Sequence, residues 1–310
     1  MRRLEQVVER ILRGERNAVA RGISLVENEH TNATELLRLL YAHTGKAYRV
    51  GITGPPGAGK STITNKLAKL YRSQQKRVGI IAVDPTSPFT GGALLGDRVR
   101  MTDVEMDDGV FIRSMASRGS LGGLSKKTKE AADVLDASGC DIVVFETVGV
   151  GQSELDIVRA ADTTIVVLVP ESGDSIQAMK AGLMEIADFF VVNKADRPGA
   201  DQAVMSIKMV LQFKHGSDGW NPDVLKSFAN EGKGIEEIAA QIEKHKEHLL
   251  THNLLQSKRT ERAIERVREL VNDRLRVEFW NDEREQKLLS EITKVTEKQK
   301  TPYDVVETLL

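Results

Sequence analysis

Short apolar runs recur through the middle of the chain, separated by stretches in which apolar residues return every three or four positions. Seven of these runs read as strands: Ala47–Thr53, Val78–Val83, Val110–Arg113, Ile142–Glu146, Thr163–Val169, Phe189–Asn193 and Asp223–Ser227. Most are continuous rather than alternating, the pattern of strands covered on both faces. Helical segments between them imply right-handed crossovers, so the pattern predicts an α/β fold built on a doubly wound, mostly parallel sheet. Residues 1–45 read as helices. Leu4, Val7, Val8 and Ile11 share one stripe, and Asn32 to His43 carries Leu37, Leu39 and Leu40. After Ile235 the chain reads as helical to its end. Ile264, Val267, Val271, Leu275 and Phe279 form one stripe and Leu288, Ile292 and Val295 another, with a break at Phe279-Trp280-Asn281-Asp282 where Asn281 or Asp282 caps the next helix. The expected division is an N-terminal helical segment 1–45, an α/β domain 46–250 and a helical arm 251–310. The narrow stripe of that arm suits packing on its own domain or against a second copy.

Composition narrows the function classes. The 44 basic and 45 acidic residues leave a formal charge of −1, which provides no long-range attraction to nucleic acid or to an anionic membrane. The single cysteine, Cys140, excludes an internal disulfide and a multi-cysteine metal site; beside the run Ile142–Phe145 it reads as a small buried residue. No run of eighteen apolar residues is present. The basic start is followed by Glu5, Glu9 and Glu15 without an apolar core, so neither a secretory signal nor an acid-poor transit peptide is expected, and the expected location is cytoplasmic.

Gly54-Pro55-Pro56-Gly57-Ala58-Gly59-Lys60-Ser61 fits G-x-x-x-x-G-K-[ST] between a predicted strand and a predicted helix, with Thr62 next. That context predicts the sheet of a P-loop NTPase. Glycines let backbone N–H groups converge on phosphate oxygens at a helix N-terminus. Lys60 is placed to neutralise the β- and γ-phosphates and Ser61 to offer a hydroxyl to Mg²⁺. Asn193-Lys194-Ala195-Asp196 follows another strand and fits N-K-x-D. A carboxylate at Asp196 accepts hydrogen bonds from the ring N–H and exocyclic amine of guanine, whereas adenine would leave it unpaired. Lys194 can cover the base with its stem. Ser227, Phe228 and Ala229, after the last strand, are candidates for a backbone contact to the base oxygen. Glu146 ends a strand and leads into Thr147-Val148-Gly149-Val150-Gly151-Gln152. This reads as a Walker B carboxylate followed by a γ-phosphate sensor at Gly149, with Gln152 as a candidate for positioning water. Asp84 and Asp97 are hard oxygen donors suited to the Mg²⁺ shell together with Glu146. Arg98, Arg100, Arg113 and Arg118 fall in the same stretch and are read mainly as surface charges. GTP or GDP with Mg²⁺ is the expected ligand set, and hydrolysis of GTP the expected reaction.

The strings Val83-Asp84-Pro85-Thr86-Ser87-Pro88-Phe89-Thr90-Gly91-Gly92, Leu95-Gly96-Asp97-Arg98-Val99-Arg100-Met101, Arg113-Ser114-Met115-Ala116, Leu121-Gly122-Gly123-Leu124 and Glu146 to Glu154 resemble the MeaB/ArgK family over roughly residues 25–250. The resemblance implies a GTPase chaperone that regulates cofactor loading and protection of an adenosylcobalamin-dependent acyl-CoA mutase of the methylmalonyl-CoA mutase type. It also implies a homodimer, and a cobalamin adenosyltransferase as a further partner. In the stretch Glu171 to Lys180 it assigns Asp174 and Lys180 to coupling between nucleotide state and partner; from the residues alone, Asp174 after Gly173 is a helix N-cap. Low intrinsic turnover is expected because no arginine finger is evident, and one supplied in trans adds roughly 10³–10⁵ in rate. Two rival readings are weaker. A metallochaperone GTPase of the nickel-delivery type calls for a Cys/His cluster, whereas His245 and His248 read as a solvated helix face. A P-loop kinase leaves Asn193–Asp196 without a purpose.

Overall fold

The computed structural model describes residues 2–84, 104, 106–116, 126–147, 157, 159–172, 181–212 and 219–310. The chain divides into two compact units, Met1–Leu255 and Gln256–Leu310.

Seven parallel strands form one sheet in the first unit: β1 (Tyr48–Thr53), β2 (Val78–Asp84), β3 (Val110–Ala116), β4 (Ile142–Thr147), β5 (Thr163–Leu168), β6 (Phe189–Val192) and β7 (Val224–Lys226), in the order β3-β2-β4-β1-β5-β6-β7. The continuous apolar runs have their cause in two covered faces. Val143 and Phe145 of β4 face a layer made by α1 (Arg2–Leu12), α2 (Arg16–Glu27), α3 (Ala33–Tyr41) and α5 (Lys126–Ala137), while Ile142 and Val144 face α4 (Lys60–Ser73) and α8 (Ile235–Thr251). On β5 and β6, Val166, Leu168, Phe190 and Val192 pack on α7 (Ala200–Leu211), and the alternate residues Ile165, Val167, Phe189 and Val191 join the α4–α8 layer. A short helix α6 (Ala181–Ile186) precedes β6. Among the described residues every strand pairing of the sheet is parallel, as the predicted crossovers require.

Arg49 is buried in β1 and bonds Asp133 of α5 at 2.6 Å, with Asp136 at 3.7 Å. Burial disfavours its charge, and the surrounding carboxylates Asp133, Asp136 and Asp162 outweigh that penalty. Asp136 in turn accepts the backbone N–H groups of Gly45, Lys46 and Ala47, which fixes the entry into β1. Cys140 is buried, and burial pushes its thiol up to about 11, so it remains protonated at neutral pH.

His245 departs from expectation. It is fully buried, with Nδ1 2.8 Å from Thr163 Oγ1 and Nε2 3.4 Å from Asp188 Oδ1, and its ring lies 4.7 Å from that of Trp220. It shares the inward face of α8 with Ile238, Ile242 and Leu249, while His248 is only half-buried. Arg113 also has a structural place: it lies in β3 and pairs with Glu27 of α2.

The second unit holds most of α9 (Leu254–Phe279), then α10 (Asp282–Thr296) and α11 (Pro302–Leu309). Asn281 caps α10, its side chain accepting from Arg284 N at 2.9 Å. Thr301 and Asp304 form a capping box on α11 with Pro302 at the first turn. Ile264, Val267, Val271 and Leu275 stay exposed on α9, so the predicted stripe finds no cover within this unit. No helix among the described residues is long and apolar enough to cross a membrane.

Candidate functional site

The carboxyl ends of β1, β4, β6 and β7 converge on one edge of the sheet, where open α/β folds place ligands. β1 runs through Thr53 into the loop 54–59 and then into α4 at Lys60. Two glycines of this loop are dictated by space as well as by backbone angle. Gly54 has φ +136°, and a Cβ there would fall 2.0 Å from the Val167 carbonyl oxygen; at Gly59, φ +89°, it would fall 2.2 Å from Asn193 Nδ2. Lys60 curls back over the loop, its Nζ donating to the carbonyls of Gly54 at 2.8 Å and Pro55 at 3.0 Å. The ammonium, the left-handed loop and the first turn of α4 thus present positive charge and N–H dipoles to the same space.

Ser61 follows on α4. Its hydroxyl donates to Glu146 Oε1 at 2.5 Å, and both residues are buried. Glu146 is delivered by the ladder that pairs it with Ile52 of β1, and the ends of those strands are tied by the Thr147 hydroxyl donating to Thr53 Oγ1 at 2.8 Å.

Asn193 leaves β6 with its side chain bonded to three groups. Its amide Nδ2 donates to the Ala58 carbonyl at 2.8 Å, and its Oδ1 accepts from the Ser227 hydroxyl at 3.0 Å and from the Ala229 N–H at 3.2 Å. One buried side chain therefore joins the loops after β1, β6 and β7. Lys194 takes the left-handed conformation, φ +57°, and Ala195 N donates to the Ser227 carbonyl at 3.0 Å. Replacing Asn193 with alanine is expected to lower stability by about 2–3 kcal/mol, because three buried partners in two neighbouring loops lose their bonds at once. Thermal unfolding would register it, and nucleotide affinity should fall in parallel.

The result is a cleft of about 420 Å³. Pro56, Gly57, Gly59, Lys60, Ser61 and Thr62 line one side, Glu146 the floor, and Asn193, Lys194, Phe228 and Ala229 the other. Gly54, Pro55, Ala58 and Ser227 form the backing of these walls through the contacts above. Asp196 is exposed in the same loop as Lys194 without lining the cleft. Thr147 and Asn230 also line it and were not singled out by sequence; Thr147 is signalled only by its place directly after Glu146. Asp84 ends β2. Asp97, Gly149, Gln152, Asp174 and Lys180 lie outside the described residues.

Residues 19–284 match the family described as Methylmalonyl Co-A mutase-associated GTPase MeaB. A relative in Pyrococcus abyssi is 48% identical over 310 residues, spanning 99% of this chain and 96% of its own. The GTPase ArgK of Escherichia coli is 38% identical over 280 residues, 87% of this chain and 84% of that protein. The mitochondrial methylmalonic aciduria type A homolog of Mus musculus is 34% identical over 267 residues, 80% of this chain and 64% of that protein. Among solved structures, a crystal structure of LAO/AO transport system kinase superposes with a TM-score of 0.77 at 30% identity, covering 99% of this chain and 96% of the other. With a P-loop, an N-K-x-D loop and a parallel sheet that brings the two to one cleft, and with kinship running along most of its length, this chain belongs to the MeaB family of GTPases.

Proposed function

We propose that this GTPase is a chaperone of an adenosylcobalamin-dependent acyl-CoA mutase of the methylmalonyl-CoA mutase type, regulating cofactor loading and protecting the enzyme. The observation that carries this reading is the match of residues 19–284 to a family described as mutase-associated. In this reading the protein works in the cytoplasm, forms a homodimer through the arm 251–310, and has a cobalamin adenosyltransferase as a second partner. The exposed apolar stripe of α9 supports the dimer.

Guanine nucleotide fits the cleft: Lys60 meets the β- and γ-phosphates, Lys194 covers the base, and Asp196 accepts from the guanine edge. Ser61 and Glu146 are hard oxygen donors 2.5 Å apart at the N-terminus of α4, a donor set suited to Mg²⁺, which takes one or two carboxylates and substrate phosphates for its remaining sites. When bound, that ion would neutralise charge developing on the phosphates. Glu146 is then positioned to hold a water, directly or through the Ser61 hydroxyl. Asp84 and Asp97 would help to hold such an ion through water, Gly149 would sense the γ-phosphate, and Gln152 would orient the attacking water.

Asp174 and Lys180 transmit nucleotide state to the mutase. By reciprocity, a mutase that prefers one nucleotide form changes the affinity for that nucleotide by the same factor. Adding the mutase should therefore shift nucleotide affinity by about fivefold or more and alter GTP turnover. Asp174→Ala and Lys180→Ala should weaken both responses while basal hydrolysis stays nearly intact. GTP turnover and nucleotide titration with and without mutase test this, and a mutase without effect on either overturns the chaperone reading.

A further inference from the structure

The loop 193–199 carries Asp196, and its two halves are held differently. The inner half is tied to the neighbouring loops through the Asn193 amide and the Ala195 N–H. The outer half turns back on itself through Arg197 N donating to the Lys194 carbonyl at 3.0 Å. From that outer half a side chain reaches across to the chain leaving β5. Arg197 Nη1 donates to Glu171 Oε1 at 2.5 Å. Glu171 lies in the 3₁₀ turn Pro170–Ser172, and Pro170 before it is buried, so the carboxylate projects from an anchored stretch of backbone. Pro198 follows Arg197 and narrows the backbone choices of that residue. The bond to Arg197 holds the Glu171 carboxyl below its usual range, and the charge of Lys194 acts in the same sense. One carboxylate thus faces cations at positions 194 and 197, on either side of Asp196.

We propose that the Arg197–Glu171 pair is a positioning device for base recognition, fixing the outer half of the loop so that Asp196 meets both donors of the guanine edge. The proposal rests on Asp196 as the guanine acceptor. An exposed ion pair contributes little to overall stability, so the consequence falls on selectivity. A loop freed at Arg197 lets Asp196 wander, and the contact to the exocyclic amine is the one that most needs its orientation. Arg197 touches no nucleotide in this account; it acts through its neighbour.

The experiment compares affinities for GDP and for inosine diphosphate, which lacks the exocyclic amine, in the wild type, Arg197→Ala, Arg197→Lys, Glu171→Gln and the double variant Arg197→Ala/Glu171→Gln. Wild type should prefer GDP. Arg197→Ala and Glu171→Gln should each weaken GDP binding by about three- to fivefold, the scale of a single exposed pair, with a smaller loss for inosine diphosphate. The double variant should be no worse than either single one, and Arg197→Lys should recover part of the preference. A wild-type preference that every variant keeps, or equal losses for both nucleotides, overturns the positioning role. A wild type that does not distinguish the two nucleotides removes the Asp196 reading itself, and the proposal with it.

Discussion

Replacing Lys60 with alanine is expected to lower GTP turnover by about 10²–10³ while the melting temperature of the nucleotide-free protein stays nearly unchanged. The two effects separate because of where the ammonium sits. It bonds the Gly54 and Pro55 carbonyls of the loop beneath it, and because Lys60 itself lines the cleft, water can take the place of the ammonium once the side chain is gone. Charge on the phosphates has no such substitute. A preorganised cation in a site that excludes water stabilises the transferring group far more than the same cation in bulk solvent. Single-turnover kinetics with a parallel melt are the check. Turnover within about twofold of wild type would remove Lys60 from the reaction, and a large fall in melting temperature would make it a structural residue.

Asp196→Asn is expected to weaken GTP and GDP binding by about a hundredfold and to raise affinity for xanthine nucleotides. In the proposed assignment the carboxylate accepts from two donors on guanine. An amide at the same place offers one donor and one acceptor, the complement of xanthine, which carries a carbonyl where guanine has its amine. The loss for guanine is a penalty of mismatched polar groups facing one another as well as a lost attraction, which is why a single atom exchange has so large an effect. Asp196 is exposed, so its substitution should leave the core and the fold undisturbed. Calorimetric titration with guanine and xanthine nucleotides decides it, and unchanged GDP affinity in the variant would refute the assignment.

The sheet was legible because its strands are apolar on both faces: seven runs correspond to seven strands, and the crossovers fix their direction. The limits of those runs were less so. β3 continues through Ser114 and Met115 to Ala116 although Arg113 and Ser114 interrupt the apolar pattern, since β2 pairs with it along its whole length and Arg113 finds Glu27 on α2. His245 was misread for a related reason. Glu243, Lys244, Lys246 and Glu247 crowd the local sequence, and periodicity alone does not reveal that Thr163 and Asp188 wait opposite His245. The P-loop and N-K-x-D strings announced themselves as chemistry because each binds through neighbouring residues. The threefold anchoring by Asn193 did not, because its partners at Ala58, Ser227 and Ala229 come from loops that only the folded sheet assembles.

The central position of β1 has a consequence for how the chain is made. β1 bonds β4 on one side and β5 on the other, and both neighbours come late: Arg49 at its start donates its backbone N–H to Asp162, 113 residues further on. At roughly 5–20 residues per second, a ribosome leaves β1 and its phosphate loop without either lateral partner for something on the order of ten seconds. During that interval a strand that the finished fold buries at every residue exposes both edges, the condition under which chains pair wrongly with one another. Early synthesis of the phosphate loop therefore gives no early nucleotide site: nascent chains released before residue 168 should neither bind GTP nor resist protease, since β1 stays without its second neighbour until β5 has emerged.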